Sequence, residues 1–280
     1  MRILRNNNPR RRLTHAVRLG GFLLGAWFAL IPAVASHTVH ATVHKRDSSE
    51  PAMRVMIVGS SVADGWKDSG GGYLWRTFDR LHHTFALPID WINRAVPGAP
   101  ATSLQPQYTG WLDSAHPQIV VLAWGGLDDA HAGTPVPLFA SLIRQQIADA
   151  LRHGSAVFMV TTPISRASYT QYPVLQQAYM TAEVNVARSF ISPRVFVFNV
   201  FDQMKRYLAL HHLTYVPFMA DGWHPNTAGH KLAASILLRD IFHNHRLRAL
   251  FSQWDGSLAP LDTNVSQGNP SAPPTNPVGS

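Results

Sequence analysis

The sequence predicts an α/β domain with a mainly parallel sheet and helices packed on both of its faces. A chain of 280 residues with 46% hydrophobic residues is long enough to bury a sizeable core. Short apolar runs rich in β-branched residues recur along the chain and alternate with longer amphipathic stretches. Because this alternation of strands and helices is typical of parallel sheets, we expect the helices to cover both faces.

Five apolar runs of five to seven residues have the length and composition of buried strands, so a five-stranded sheet is predicted. The predicted strands are Arg54–Val58, Ile89–Ala95, Ile119–Trp124, Ala156–Thr161 and Val195–Val200. Amphipathic patterns between the later strands and after the last one predict helices at Leu138–Leu151, Val174–Phe190 and Thr227–His243. Asn226 directly precedes the last helix and is expected to cap it.

The first 35 residues have the pattern of an export signal. Six arginines and no acidic residue precede an uncharged apolar run at 19–35, which closes with the small residues Ala-Val-Ala. Arginines directly upstream of such a run fit the positive-inside rule better than a buried core helix does. The run is also just long enough to span a bilayer. Residues 1–35 are therefore predicted to be a signal peptide or an N-terminal membrane anchor, and the protein to be secreted or extracytoplasmic.

Polar segments flank the predicted domain, which spans residues 53–250. Residues 36–52 lack helical or strand periodicity and are predicted to be a linker. Residues 251–280 are predicted to be a disordered tail, because from Asp255 onward they contain five prolines among Asn, Ser and Gly. The chain has no cysteine, so an exported domain would be stabilised by its core and not by disulfides.

The position of the charges argues against nucleic-acid binding. Six of the 24 basic residues lie in residues 1–35, which leaves 18 basic and 16 acidic residues in 36–280. Proteins that follow phosphate backbones need clustered Lys and Arg, and no such run occurs after Arg54. The 15 histidines do not show the spacing of a zinc site, so neither a metal nor another cofactor is predicted. Membrane contact is expected only through the N-terminal segment.

Two segments carry the residue types of a catalytic triad. Ser61 follows the first predicted strand, and open α/β sheets bind ligands beyond the carboxyl ends of their strands. Asp221 and His224 are three residues apart on a turn before the last helix. At this spacing the carboxylate can hold the imidazole tautomer while the other ring nitrogen accepts the serine proton. Gly-Ser-Ser alone is also a common turn, so the inference depends on both segments together.

Four short blocks occur in order along most of residues 53–245. They are Gly59-Ser60-Ser61 with Gly65, Asn93–Gly98, Gly126–Asp129 and Asp221–His224. Together these blocks resemble the motifs of the SGNH hydrolases, also called the GDSL-like esterase and lipase family. The chain departs from the family pattern twice. Ser60 stands in the aspartate position of the first block, and Asp128 stands in the asparagine position of the third.

The resemblance implies a flavodoxin-like three-layer α/β/α sandwich that hydrolyses an ester through an acyl-enzyme on Ser61. In this scheme His224 is the general base and later the acid, and Asp221 orients it. The backbone N–H groups of Ser61 and Gly98 would stabilise the oxyanion. The family's third donor is a side-chain amide, and its position in this chain is Asp128.

A carboxylate at Asp128 would repel the developing oxyanion, so three interpretations stay open. The carboxyl group could be protonated and donate a hydrogen bond, as a carboxylic acid in an apolar site can. The side chain could instead point away, or the protein could be a weak or inactive hydrolase. Losing one oxyanion donor costs roughly a hundred- to a thousand-fold in turnover, so a defective oxyanion hole need not abolish activity.

Three tryptophans, Trp66, Trp124 and Trp223, lie beside three of the blocks. They are predicted to form an apolar or sugar-stacking wall for the substrate, although ordinary core or rim aromatics would follow the same pattern. Gly70-Gly71-Gly72 lacks the following Lys-Ser/Thr of a phosphate-binding loop and is predicted to be a flexible loop at the mouth of the site.

The function predicted from the sequence is that of an exported serine esterase acting on a small acyl ester, such as O-acetyl groups on a polysaccharide. The alternative is a non-catalytic glycan-binding or scaffold protein that keeps the fold, an idea motivated by Ser60 and Asp128. The intact set of Ser61, Asp221 and His224 favours the enzyme. Acyl chain length, natural substrate and oligomeric state are not specified by the sequence.

Overall fold

A five-stranded parallel sheet forms the centre of residues 51–254, the part of the chain that the computed structural model describes. Its strands lie in the order β2-β1-β3-β4-β5, and all four pairings are parallel. The strands are β1 (Met53–Gly59), β2 (Ile89–Asn93), β3 (Ile119–Ala123), β4 (Ala156–Val160) and β5 (Val195–Phe198). Every residue of β3 and β4 is buried, as expected for central strands covered on both faces.

Helices pack in two groups, so the domain has three layers. α2, α7, α8 and α9 contact one another in one layer, and α3, α5 and α6 contact one another in the other. The helices are α1 (Ser61–Asp64), α2 (Gly72–Phe85), α3 (Ala101–Ala115), α4 (Leu127–Ala132), α5 (Val136–Arg152), α6 (Pro173–Arg188), α7 (Val200–Leu210), α8 (Thr227–His243) and α9 (His245–Ser252). The predicted fold class is confirmed.

The predicted strands and helices are present, and only their ends shift. The helices predicted in the second half of the chain correspond to α5, α6 and α8, and α8 has the predicted bounds. The second and fifth strands each end two residues earlier than predicted. At the end of β5 the cause is a helix cap, because the side chain of Asn199 accepts the N–H of Asp202 and starts α7.

The segment around Gly70–Gly72 is a packed connection, which corrects the prediction of a flexible loop. Gly72 is the first residue of α2 and has a φ of +80°, and a Cβ there would lie 2.3 Å from the Cα of Gly65. The carboxylate of Asp68 accepts the N–H groups of Gly70 and Gly72 and both arms of the Arg76 guanidinium. Burial alone would raise the pKa of Asp68, but these donors hold it well below its usual range.

Helix α3 begins without a local side-chain cap and was not predicted from the sequence. Pro100 precedes it and offers no side-chain acceptor, and Pro106 lies inside it. Its first N–H, that of Ala101, is instead accepted by both carboxylate oxygens of Asp129 at 3.2 Å. Burial raises the pKa of Asp129 to about 6, although the bonds from Ala101 and Thr134 oppose the rise. This carboxylate joins α3 to the start of α4.

The domain extends past the predicted boundaries at residues 53 and 250. Phe251 and Trp254 are buried in the core, and the indole N–H of Trp254 donates to the carbonyl of Pro51 at 2.9 Å. The rest of the predicted signal or anchor, linker and tail lies outside the described residues. Within 51–254, no helix combines the length and hydropathy needed to cross a membrane.

Candidate active site

Ser61 lies at the carboxyl end of β1, at the start of the short helix α1. A Cβ on Gly59, the last residue of β1, would lie 2.3 Å from the carbonyl oxygen of Ala123, so glycine is what lets β1 and β3 approach here. Backbone bonds from Asp64 to Ser60 and from Trp66 to Ser61 close the turn that follows. The local structure thus holds Ser61 at the sheet edge where the sequence predicted it.

Asp221 and His224 lie on a closed turn that precedes α8. The N–H of Ala220 donates to the carbonyl of His224 at 3.0 Å, and Oδ1 of Asp221 accepts the N–H of His224 at 2.8 Å. Asn226 caps α8 by accepting the N–H of Gly229, which confirms the predicted cap. The Asn226 amide also donates to backbone carbonyls of the preceding loop, so one side chain fixes both the turn and the helix.

The three side chains predicted to form a triad are brought together by these two turns. Nε2 of His224 lies 3.0 Å from Oγ of Ser61, and Nδ1 lies 2.9 Å and 3.0 Å from the two carboxylate oxygens of Asp221. Partial burial would raise the pKa of Asp221, but the Trp223 and His224 N–H groups and the His224 ring hold it below its usual value. Asp221 therefore stays ionised at neutral pH and can hold the imidazole ready to accept the serine proton.

The loop that carries Gly98 runs alongside the end of β1. The N–H of Arg94 donates to Ile57 at 2.8 Å, and the N–H of Val96 donates to Gly59 at 3.0 Å. Gly98 itself has a φ of +79°, a left-handed conformation that favours glycine. This places the loop beside the serine turn, and the role of the Gly98 N–H in the oxyanion hole stays a prediction.

Asp128 lines the same small pocket as Ser61 and His224, so its side chain does not point away from the site. Burial raises its pKa, while a hydrogen bond from the Ser60 hydroxyl and the nearby His224 oppose the rise. The two residues that depart from the family pattern, Ser60 and Asp128, are therefore partners. A carboxyl group that retains its proton to higher pH than usual could donate to an oxyanion, as one of the three interpretations requires.

The three tryptophans have different environments. The ring of Trp66 is 44% exposed and its centroid lies 6.2 Å from that of His224, while Trp223 lines the pocket beside Ser61. Trp124 is fully buried, and its indole N–H donates to Oε1 of Gln146 at 2.9 Å. The predicted substrate wall is corrected accordingly. The core contains Trp124 because it directly follows the buried strand β3, so only Trp66 and Trp223 are at the site.

The pocket beside Ser61 also contains residues that the sequence did not single out. Thr162 follows β4, so the rule that ligands bind beyond strand ends would have indicated it. Gln176 lies within α6, where no sequence signal distinguishes it; its amide donates to the Gly125 carbonyl at 2.9 Å. In residues 51–254, no group of three or more His, Asp or Glu side chains is placed to hold a metal ion.

Comparison with known proteins gives matches to one family and to one kind of fold. Residues 57–232 match the model of the GDSL-like Lipase/Acylhydrolase family. Among solved structures, the acetylxylan esterase Axe2 from Geobacillus stearothermophilus is 16% identical with a TM-score of 0.56, over 68% of this chain and 94% of that one. LAE5, described as an alpha/beta hydrolase enzyme from the metagenome of Lake Arreo, Spain, is 17% identical with a TM-score of 0.57, over 68% and 95%. No curated protein matches the chain. At these identities the structural matches support the fold alone.

Proposed function

Because the chain belongs to the GDSL-like lipase and acylhydrolase family, we propose that it is an exported esterase that removes small acyl groups, such as acetyl, from a polysaccharide. The family makes the chain a serine ester hydrolase, while the substrate, the acyl group and export are parts of the proposal. The observation that carries the proposal is the 3.0 Å contact between Ser61 and His224. A non-catalytic scaffold would not require this contact, so the geometry favours the enzyme over that alternative.

The reaction proceeds through an acyl-enzyme. Oγ of Ser61 attacks the ester carbonyl carbon as its proton passes to Nε2 of His224, and the carbonyl oxygen becomes an oxyanion. The intermediate collapses, the C–O bond to the alcohol breaks, and His224 returns the proton to the departing sugar hydroxyl. Water then attacks the acyl-serine with His224 again as base, which releases the carboxylic acid and restores Ser61. Asp221 stabilises the imidazolium in both halves.

The size of the pocket supports a small acyl group. The cavity bounded by Ser61, Leu127, Gln176 and His224 has a volume of about 10 Å³. That volume is close to the space that one water molecule needs. The smallest acyl group, acetyl, therefore requires the least displacement of the lining side chains, and a longer acyl chain requires more. The polysaccharide part of the proposal draws on the fold shared with Axe2, which is an acetylxylan esterase.

Acyl chain length is the first test. With p-nitrophenyl esters we expect kcat/KM to fall by about tenfold to a hundredfold from acetate to octanoate, because forcing extra methylenes into a packed site costs roughly 1–3 kcal/mol. Leu127→Ala enlarges the pocket and should raise the ratio of butyrate to acetate turnover. Circular dichroism would verify that the variant is folded. Equal kcat/KM for acetate and octanoate in the wild type would show that the acyl group binds elsewhere.

Export is the second test, and it depends on residues 1–35 alone. Protein recovered from the native host should begin at Ser36 or a nearby residue if a signal peptidase removes the segment, as N-terminal sequencing would show. An intact Met1 in the membrane fraction would support the anchor instead. An intact chain in the soluble cytoplasmic fraction would contradict both forms of the export proposal.

A further inference from the structure

A second and larger cavity begins at the turn that carries the triad. This groove has a volume of about 440 Å³ and is lined by Arg166, Tyr215, Val216, Met219, Ala220, Asp221 and Gly222. One of its lining residues is Asp221, the triad carboxylate, and its volume lies within the range of small-ligand sites. The groove is therefore placed to hold the part of a substrate that extends away from Ser61.

Arg166 is presented to this groove by a rigid turn. The buried hydroxyls of Ser165 and Ser168 each accept the other residue's backbone N–H, at 2.8 Å and 3.2 Å, and lie 3.1 Å from each other. The carbonyl of Arg166 accepts the N–H groups of Tyr169 and Thr170. The backbone of Arg166 is thus fixed on both sides. Because this backbone is already ordered, a ligand that binds Arg166 does not have to order it.

The guanidinium of Arg166 is exposed and has no hydrogen-bond or ion-pair partner anywhere in the described part of the chain. By contrast, Arg76 forms a bidentate pair with Asp68. Arginine's planar fork matches a carboxylate and binds it through two parallel N–H···O bonds. An unpaired fork on a rigid turn beside an active site is available to bind an anionic ligand.

The same turn also connects the groove to the acyl pocket. Ser165 lines the pocket beside Ser61, and the next residue, Arg166, lines the groove. The N–H of Ala167 donates to the carbonyl of Gly222 at 2.8 Å, and this hydrogen bond links the turn that carries Arg166 to the turn that carries the triad residue Asp221. A ligand that is acylated at Ser61 and continues along the groove would therefore pass both residues.

The other groups at the groove favour a sugar with one negative charge. Tyr215, at its wall, stacks on Tyr169 with ring centroids 4.7 Å apart and planes 18° apart, which gives a fixed aromatic surface of the kind that packs against a sugar ring. Asp221, which also lines the groove, is partly exposed and would repel a phosphate dianion more strongly than a carboxylate monoanion. The combination therefore fits a uronic acid.

From these contacts we infer that the groove is a subsite for an acidic sugar, in which Arg166 binds the carboxylate of a uronic acid next to the acylated residue. This inference rests on the proposed function and specifies its substrate class, an O-acylated acidic glycan. Arg166 acts in substrate specificity and takes no part in the chemistry at Ser61.

The test uses two O-acetylated disaccharides that differ only in whether the second ring is glucuronic acid or glucose. We expect the kcat/KM of the wild type to be about tenfold higher for the acidic disaccharide, because its KM is lower. One charge-assisted pair of hydrogen bonds is strong enough to give a difference of this size. Arg166→Gln should remove the preference, and Arg166→Lys should keep part of it. Hydrolysis of p-nitrophenyl acetate should stay within about twofold in both variants, since that ester does not reach the groove.

Two controls separate this interaction from general charge effects. Arg80→Gln removes an exposed arginine on α2 and should leave the preference unchanged. Raising the salt from 0.1 M to 1 M shortens the screening length from about 10 Å to about 3 Å, and it should weaken the preference in the wild type. An equal kcat/KM for the two disaccharides, or a preference that persists in Arg166→Gln, would overturn the inference.

Binding separates failure of the subsite from failure of the proposed function. Calorimetry with the deacetylated disaccharides measures the subsite without catalysis, and tighter binding of the acidic form should be lost in Arg166→Gln. If wild-type protein hydrolyses neither p-nitrophenyl acetate nor the disaccharides, the proposed function is wrong. The calorimetric comparison of the two deacetylated disaccharides then still tests whether Arg166 forms the subsite. If it hydrolyses p-nitrophenyl acetate but binds both disaccharides equally, only the subsite is wrong.

Discussion

Ser61→Ala is expected to lower kcat for p-nitrophenyl acetate by at least about 10⁴-fold without unfolding the domain. Removing a triad serine eliminates the acyl-enzyme route and leaves only the stabilisation that the rest of the site provides. The substitution deletes one hydroxyl at the start of a short helix, and the backbone bonds of the turn remain. Steady-state kinetics measures the loss, and thermal denaturation should show a melting temperature close to that of the wild type.

A covalent probe gives an independent measure of the same residue. A serine-reactive phosphonate should label the wild type at Ser61, as peptide mass spectrometry would show, and should leave Ser61→Ala unlabelled. His224→Ala should also be poorly labelled, because nothing then accepts the serine proton. Turnover retained in folded Ser61→Ala would assign the nucleophile to another residue.

Asp128→Asn is expected to raise turnover at alkaline pH by up to about a hundred- to a thousand-fold, the usual contribution of one oxyanion donor. Burial raises the pKa of Asp128, so the carboxyl group keeps its proton, and can donate, to higher pH than an exposed aspartate does. Once the pH passes that pKa, the carboxylate repels the oxyanion and activity falls. The wild type should therefore show a fall in kcat/KM at alkaline pH.

The side-chain amide that Asp128→Asn introduces donates at every pH, and its oxygen can still accept the Ser60 hydroxyl, so the alkaline fall should disappear in this variant. Ser60→Ala provides the matched control. The Ser60 hydroxyl stabilises the ionised carboxylate, so removing it should shift the alkaline fall in kcat/KM to higher pH. If the profiles of wild type and Asp128→Asn superimpose, Asp128 does not contact the oxyanion.

The parts of the fold that could be predicted are those with local signals. Each strand lies in an apolar run rich in β-branched residues, and α8 has a capping asparagine at the expected position, so these elements were recognised. Helix α3 was missed because its cap, Asp129, is 28 residues away in sequence. Helix α2 was missed because three glycines suggest a loop, and the network around Asp68 that orders them includes Arg76 and Thr227.

The residues of the candidate site also divide into those with a local sequence signal and those without one. Ser61, Asp221 and His224 were recognised from motifs whose spacing is local, and the structure brings them together. Trp124 was wrongly assigned because the sequence shows that it follows a strand but not which way its ring points; the ring packs into the core with Gln146 as its partner. Arg166 and Gln176 have no motif, and their positions depend on long-range packing around the sheet.

Ser61 and His224 are 163 residues apart in the chain, so the triad can form only after the turn that carries His224 has been synthesised and has folded. The last strand of the sheet ends at Phe198, so a ribosome has completed all five strands before it adds His224. Contacts between distant residues also form late in folding, because closing long loops is entropically costly. A nascent or unfolded chain therefore carries a serine with nothing to activate it. A chain that crosses a membrane before it folds would begin to cleave esters only on the far side.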